Sequence, residues 1–208
     1  MTALSPSTAD LRLVVDDLIG RFAEIPDDAW GRPAAGLTWT CRETVAHILD
    51  DLVAYAMQIS GEHGTGEGYV PLEESHQVRP DGPGFWLWPT PERGSAAIVT
   101  CLDAACGVFT AVLAVCPAGR RGWHPWGESD ASGFAAMGLT ETVLHADDVL
   151  RAVGVTYRPD AGVVGRVLDR SFPAAIRTED AWQDLLAATG RTDATRGMPW
   201  RWDAALRG

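Results

Sequence analysis

Apolar residues recur at spacings of three and four through most of the chain, and no run alternates with the period of two that a half-buried strand requires. Leu11, Val15, Leu18, Phe22 and Ile25 draw a first helical stripe, with Ser7 and Asp10 placed as a capping box before it and Pro26 behind it. Thr40 and Glu43 repeat the box ahead of CRETVAHILDDLVAYAMQI, in which Val45, Ile48, Leu49, Leu52, Ala56 and Ile59 share one side of a second helix. Thr90 followed by Pro91 opens a third, which AAIVTCLDAACGVFTAVLAVC carries to Pro117; its mostly apolar circumference predicts deep burial. A fourth runs from about Asp130 to Val153 and stops at Gly154, where a left-handed residue is wanted. Two weaker helices follow, at 160–170 and 179–189, the second capped by Thr178 and stopped by Gly190.

Four long helices without strands predict an all-α four-helix bundle over residues 1–154, with 155–208 as a short helical extension packed on it. The connection between the second and third helices is about thirty residues of Gly- and Pro-rich sequence, far longer than the usual helix link. Tyr69, Phe85, Trp86 and Trp88 argue that it is ordered, because disordered tracts are poor in aromatics. It is expected to roof a site. Trp30 and Trp39 flank the start of the second helix and are read as core.

Charge narrows the function classes. Against 28 acidic residues stand 17 basic ones, a net charge of −11, and no Arg block offers a footprint for phosphate, so nucleic acid is not the expected partner. No basic n-region opens the chain and no apolar run approaches the roughly 20 residues a bilayer needs, which sets the expectation of a cytoplasmic protein without a membrane partner. The four cysteines form no CxxC pair and are read as buried thiols; Cys41, in the first turn of the second helix, is the one the helix dipole can activate.

The fourth helix carries the chemistry. At about 100° per residue, Glu141 and His145 lie about 40° apart with Asp148 beside them, while Leu139, Val143, Ala146 and Leu150 take the opposite face. In the second helix His47 and Asp51 likewise face away from the aliphatic side. A His/Glu/His set drawn from two neighbouring helices suits zinc, nickel or ferrous iron, and three protein ligands leave a position open for water or substrate. Asp51 and Asp148 are spaced to orient the two imidazoles.

WTCRETVAHILDDLVAYA and GLTETVLHADDVLRAVG, about ninety residues apart, resemble the mycothiol-dependent maleylpyruvate isomerase N-terminal family of the DinB-like metalloproteins. The resemblance covers residues 8–154 and implies a bundle holding a divalent metal, usually zinc, on His47, Glu141 and His145. It further implies mycothiol as cofactor, a small electrophilic substrate, a homodimer, and an arginine contributed from the C-terminal side, for which Arg201 is the candidate. Two functional classes stay open: a metal-dependent thiol transferase or isomerase, and a bundle that binds metal or a small ligand without turnover.

Overall fold

The structure, a computed structural model, describes residues 5–207 apart from 65, 74, 75 and 81. Four long helices, α1 (Thr8–Ala23), α2 (Cys41–Ser60), α3 (Gly94–Val115) and α4 (Ala131–Ala152), close a ring in which α1 meets α3, α3 meets α2, α2 meets α4 and α4 meets α1. Two shorter helices extend it: α5 (Ala161–Ser171) lies on α4, and α6 (Ala181–Ala188) lies on α5. The fold is an all-α, DinB-like four-helix bundle with a long crossover between α2 and α3.

Local signals set these boundaries. Ser7 accepts the Asp10 backbone N–H at 3.3 Å while the Asp10 carboxylate accepts that of Ser7 at 2.9 Å. Thr40 and Glu43 do the same for α2, at 3.2 and 2.7 Å. The third helix departs from expectation at its start. Pro91–Arg93 form a 3-10 turn, and Gly94 takes φ 52° before α3 begins. The Asp27 carboxylate fills the space a Cβ at Gly94 would need and accepts the Ser95 N–H at 2.8 Å, so a residue distant in sequence caps α3. At α6 the cap is Asp180, which accepts the Gln183 N–H at 3.2 Å; Thr178 instead turns its N–H and hydroxyl onto Asp184.

Burial reverses the expectation drawn from hydropathy. On α4 every residue from Gly133 to Leu150 is buried, the acidic and imidazole side chains included. The more apolar α3 leaves one face open, with Val108 49% and Val115 79% exposed. Composition does not decide burial; position in the ring does. The bundle helices α1 and α2 cover α4 on one side and α5 covers it on the other, whereas α3 buries only the Ile98, Leu102, Cys106 and Phe109 side against α1 and α2. The segment Pro91–Val115 is long and apolar enough to cross a bilayer by length and composition, contrary to the reading of the sequence.

Two ladders of two residues each complete the chain: β1 (His76–Gln77) with β2 (Gly84–Phe85) in the crossover, and β3 (Arg121–Gly122) with β4 (Ser129–Asp130) ahead of α4. Neither is long enough to register as a period of two. The core is one hydrophobic cluster that takes in Val164 and Leu168 of α5, Leu185 of α6 and Trp202 beside the bundle residues. Arg170, buried on α5, fastens the C-terminal segment to the start of α4. It donates to the hydroxyls of Ser129 and Ser132, to the Asp130 carboxylate, and to the carbonyls of Asp203 and Ala205.

Candidate metal centre

The contact between α2 and α4 decides what the two polar helix faces do. It brings one donor atom each from His47, Glu141 and His145 within 4.8 Å of one another. The helical turn from Glu141 to His145 sets Oε2 of the first 3.3 Å from Nε2 of the second, and the His47 and His145 rings stand 5.0 Å apart and nearly perpendicular. Glu141 and His145 are buried; His47 keeps 30% of its side chain exposed, which leaves the group reachable from one side.

Both aspartates singled out by spacing sit against an imidazole. Asp148 Oδ2 lies 3.1 Å from His145 Nδ1, an arrangement that turns Nε2 toward Glu141. Asp51 Oδ2 lies 3.3 Å from His47 Nε2 and is a buried oxygen with no hydrogen-bond partner among the described residues. A buried carboxylate oxygen left without a partner is costly unless a cation arrives.

Electrostatics sort the group into unlike halves. Burial holds the His47 imidazole down at about 4, with the charge of His145 adding to the effect, so its lone pair is free at neutral pH. Burial works the same way on His145, but hydrogen bonds to Asp148 and Glu141 outweigh it and raise that ring to about 9. For Glu141 burial opposes ionisation, and its bond to His145 together with the nearby positive charges keeps the carboxylate below the usual range. Burial, with the charge of Glu141 adding to it, pushes Asp51 well above the usual carboxylate range. In the absence of a metal, then, a proton on His145 balances Glu141.

Around this group the structure supplies residues that the sequence reading did not. Trp39, read from sequence as core, packs its ring 5.1 Å from that of His47 and 6.4 Å from that of His145. Arg191, which follows α6, donates to Asp148 Oδ2 at 3.2 Å. Arg201, the candidate named from the sequence, lines a separate cleft with Phe172 and Trp202 whose lining includes none of the three donors. Tyr55 lies close enough to Asp51 and Glu141 to feel their charge, and burial with that charge keeps its hydroxyl protonated. His124 accepts the Trp126 N–H on Nδ1 at 3.2 Å and is packed among Tyr55, Tyr69 and Trp202. The crossover reaches the site as expected: Tyr69, Gly84 and Trp86 line a cavity of about 200 Å³ beside His47. His63 is exposed and His76 stacks on Trp88, and neither is among the three donors. Cys41 is buried and its thiol is pushed up to about 11, which removes it as a reactive group.

The helical ring and this placement of donors agree with a match of residues 11–150 to the mycothiol maleylpyruvate isomerase N-terminal domain family model. The chain belongs to that family. The chain is similar to an uncharacterized protein of Mycobacterium tuberculosis, matched in strains CDC 1551 and H37Rv; each is 30% identical over 97% of this chain and 79% of its own length. A solved fold neighbour is a histidine-to-alanine mutant of the mycothiol-dependent maleylpyruvate isomerase, with a TM-score of 0.53 and 13% identity. That alignment covers 78% of this chain and 66% of the neighbour, just under two thirds of the isomerase's length. The match to the maleylpyruvate isomerase N-terminal model ends at 150, ahead of α5, α6 and Arg191.

Proposed function

We propose that this chain holds a divalent metal, zinc before nickel or iron, on His47, Glu141 and His145, and uses a thiol of the mycothiol class to transfer to, or isomerise, a small electrophilic substrate. The observation that carries the reading is the meeting of three largely desolvated donors from two helices at the edge of an open cavity. The donor set fits such an ion: two imidazoles and a carboxylate, with one unpartnered buried oxygen of Asp51 alongside. Family membership and the fold neighbour support mycothiol as the thiol.

When bound, the metal supplies Lewis acidity, under which a thiol ionises near neutral pH. Cys41 and Cys106 do not meet that need, since burial pushes both up to about 11. The chain's other residues prepare the place. Asp148 accepts from His145 Nδ1 and fixes that ring's orientation, Trp39 shields the two imidazoles from water, and the crossover residues Tyr69 and Trp86 wall the side from which a substrate enters. The Tyr55 hydroxyl, kept protonated, is placed to donate to an oxygen of the substrate. Residues 155–208 act in this reading as an extension of the bundle that completes the site through Arg191.

Elemental analysis of the purified protein is expected to find about one divalent metal per chain. Mycothiol added to cobalt-substituted protein is expected to produce a sulfur-to-metal absorption band that His145→Ala abolishes. A cobalt spectrum indifferent to mycothiol and to other small thiols at millimolar concentration would overturn the thiol reading.

A further inference from the structure

A second cavity, of about 520 Å³, opens between the turn that follows α5, the end of α6 and residues 201–205. That volume falls in the range of about 300–1,000 Å³ in which small-molecule sites are found. Alanines make the room: Ala174, Ala175, Ala188 and Ala205 stand where larger side chains would close it, and Phe172 adds apolar surface. Its walls are pre-organised. The Asp203 N–H donates to the Ser171 carbonyl at 2.7 Å, and Trp202, 1% exposed, sets its ring 5.2 Å from that of His124 and 6.2 Å from that of Phe134.

The polar side chains left over in this wall can all donate. Arg201 is exposed and makes no hydrogen bond and no ion pair among the described residues. The Ser171 hydroxyl and the Trp202 indole N–H are buried and without a partner there. Buried donors of this kind are costly to leave unmet, and a ligand that satisfies them recovers the loss. The one acidic side chain of the wall is already engaged: the Asp203 carboxylate pairs with Arg207 at 2.7 Å and accepts the Ala205 N–H at 2.9 Å. We propose that this cavity is a second ligand site, which binds a small organic acid with an apolar body. A carboxylate there takes the Arg201 guanidinium, whose fork matches its two oxygens, and a hydrogen bond from Ser171 or Trp202. The rest of the molecule lies against Phe172 and the alanines. An ammonium in the same place finds only the Asp203 carboxylate, which Arg207 already holds. The inference stands apart from the thiol reaction, since it uses no residue of the metal centre.

Saturation-transfer NMR on the purified protein compares 3-phenylpropionate, 3-phenylpropan-1-ol and 3-phenylpropylamine at millimolar concentration, probes that share one apolar body and differ in head group. Transfer to the acid is expected, with a dissociation constant below those of the alcohol and the amine. Arg201→Gln, a change at an exposed side chain, is expected to weaken the acid about tenfold, the cost of losing a hydrogen bond to a charged group. Ala174→Trp, which fills the cavity, is expected to abolish transfer. His47→Ala separates this site from the metal, to which a carboxylate also binds, and should leave the affinity for the acid as it was. No transfer to the acid, equal or tighter binding of the alcohol or the amine, or binding of the acid that survives both Arg201→Gln and Ala174→Trp overturns the proposal. So does loss of binding in His47→Ala with full binding in Arg201→Gln, which puts the acid on the metal.

Discussion

One carboxylate oxygen joins Arg191 to His145: Asp148 Oδ2 stands 3.1 Å from His145 Nδ1 and 3.2 Å from the Arg191 guanidinium. The helix end after α6 aims that arginine. Gly190 takes φ 70°, and the Arg191 N–H returns to the Leu186 carbonyl at 2.8 Å, which turns the chain back toward α4. A C-terminal helix stop thereby governs the orientation of an imidazole on the central helix. Arg191→Ala is expected to weaken metal binding about 10–100-fold, the range for losing an outer partner of a ligand. Competition against a chromophoric chelator measures it. Arg191→Lys should recover part of the loss, and circular dichroism should stay unchanged in both; full affinity in Arg191→Ala would remove the link.

Removal of the donors themselves gives a sharper pattern. His47→Ala, Glu141→Ala and His145→Ala are each expected to lose most of the bound metal, because three ligands of this kind do not hold an open site once one is gone. His63→Ala and His76→Ala should keep it. Metal retained by all three donor variants would place the ion elsewhere.

How much of this was legible in the sequence depends on the range of the interaction. Glu141 and His145 could be paired from spacing alone, since one helical turn fixes their separation, and the Ser7/Asp10 and Thr40/Glu43 boxes marked two helix starts for the same local reason. Long-range contacts left no such trace. Asp27 capping α3 and Arg191 reaching Asp148 are tertiary choices between residues with no periodic relation. A helical wheel separates the polar face of α4 from its aliphatic face without showing that it is buried, which only the packing of α2 and α5 against α4 reveals. For α3 the error ran the other way: its all-round apolar surface suggested burial that its outer position in the ring does not provide.

Acid should act on the joint between the C-terminal segment and α4. Burial alone would raise the Asp130 carboxyl, but the Ser132 hydroxyl, the backbone N–H groups of Arg207 and Gly133 and the Arg170 guanidinium outweigh it and hold Asp130 well below the usual carboxylate range. The unfolded chain then takes up this proton more readily than the folded one. The stability Asp130 contributes is complete above about pH 4 and is lost as the pH falls toward the lower folded value. Asp130→Asn is expected to lower the urea midpoint at pH 7 and to flatten its decline between about pH 4 and 2. Parallel curves for the two proteins in acid would count against the carboxylate as the source.

A glycine in the middle of α4 gives a prediction of sign. Replacing an interior helical glycine with alanine ordinarily gains about 1 kcal/mol. A Cβ at Gly138 would lie 2.7 Å from Cε1 of the fully buried Phe109 ring, which reaches from α3 across the bundle interior to α4. Gly138→Ala is therefore expected to destabilise the protein by roughly 1–3 kcal/mol, the usual cost of overpacking. Urea denaturation decides it, and a higher midpoint with an unchanged slope would contradict the close approach.

Trp39 has a consequence beyond shielding. An indole ring stacked 6.4 Å from one ligand imidazole and set edge-on at 5.1 Å from the other is a light-emitting group within energy-transfer range of whatever ion the cluster takes. A closed-shell ion such as zinc leaves that emission standing, while cobalt, nickel or copper drains it. Trp39 is one of nine tryptophans, so the emission that the protein loses on Trp39→Phe is the optical gauge of which class of metal the cluster holds, legible in a cuvette without dismantling the site.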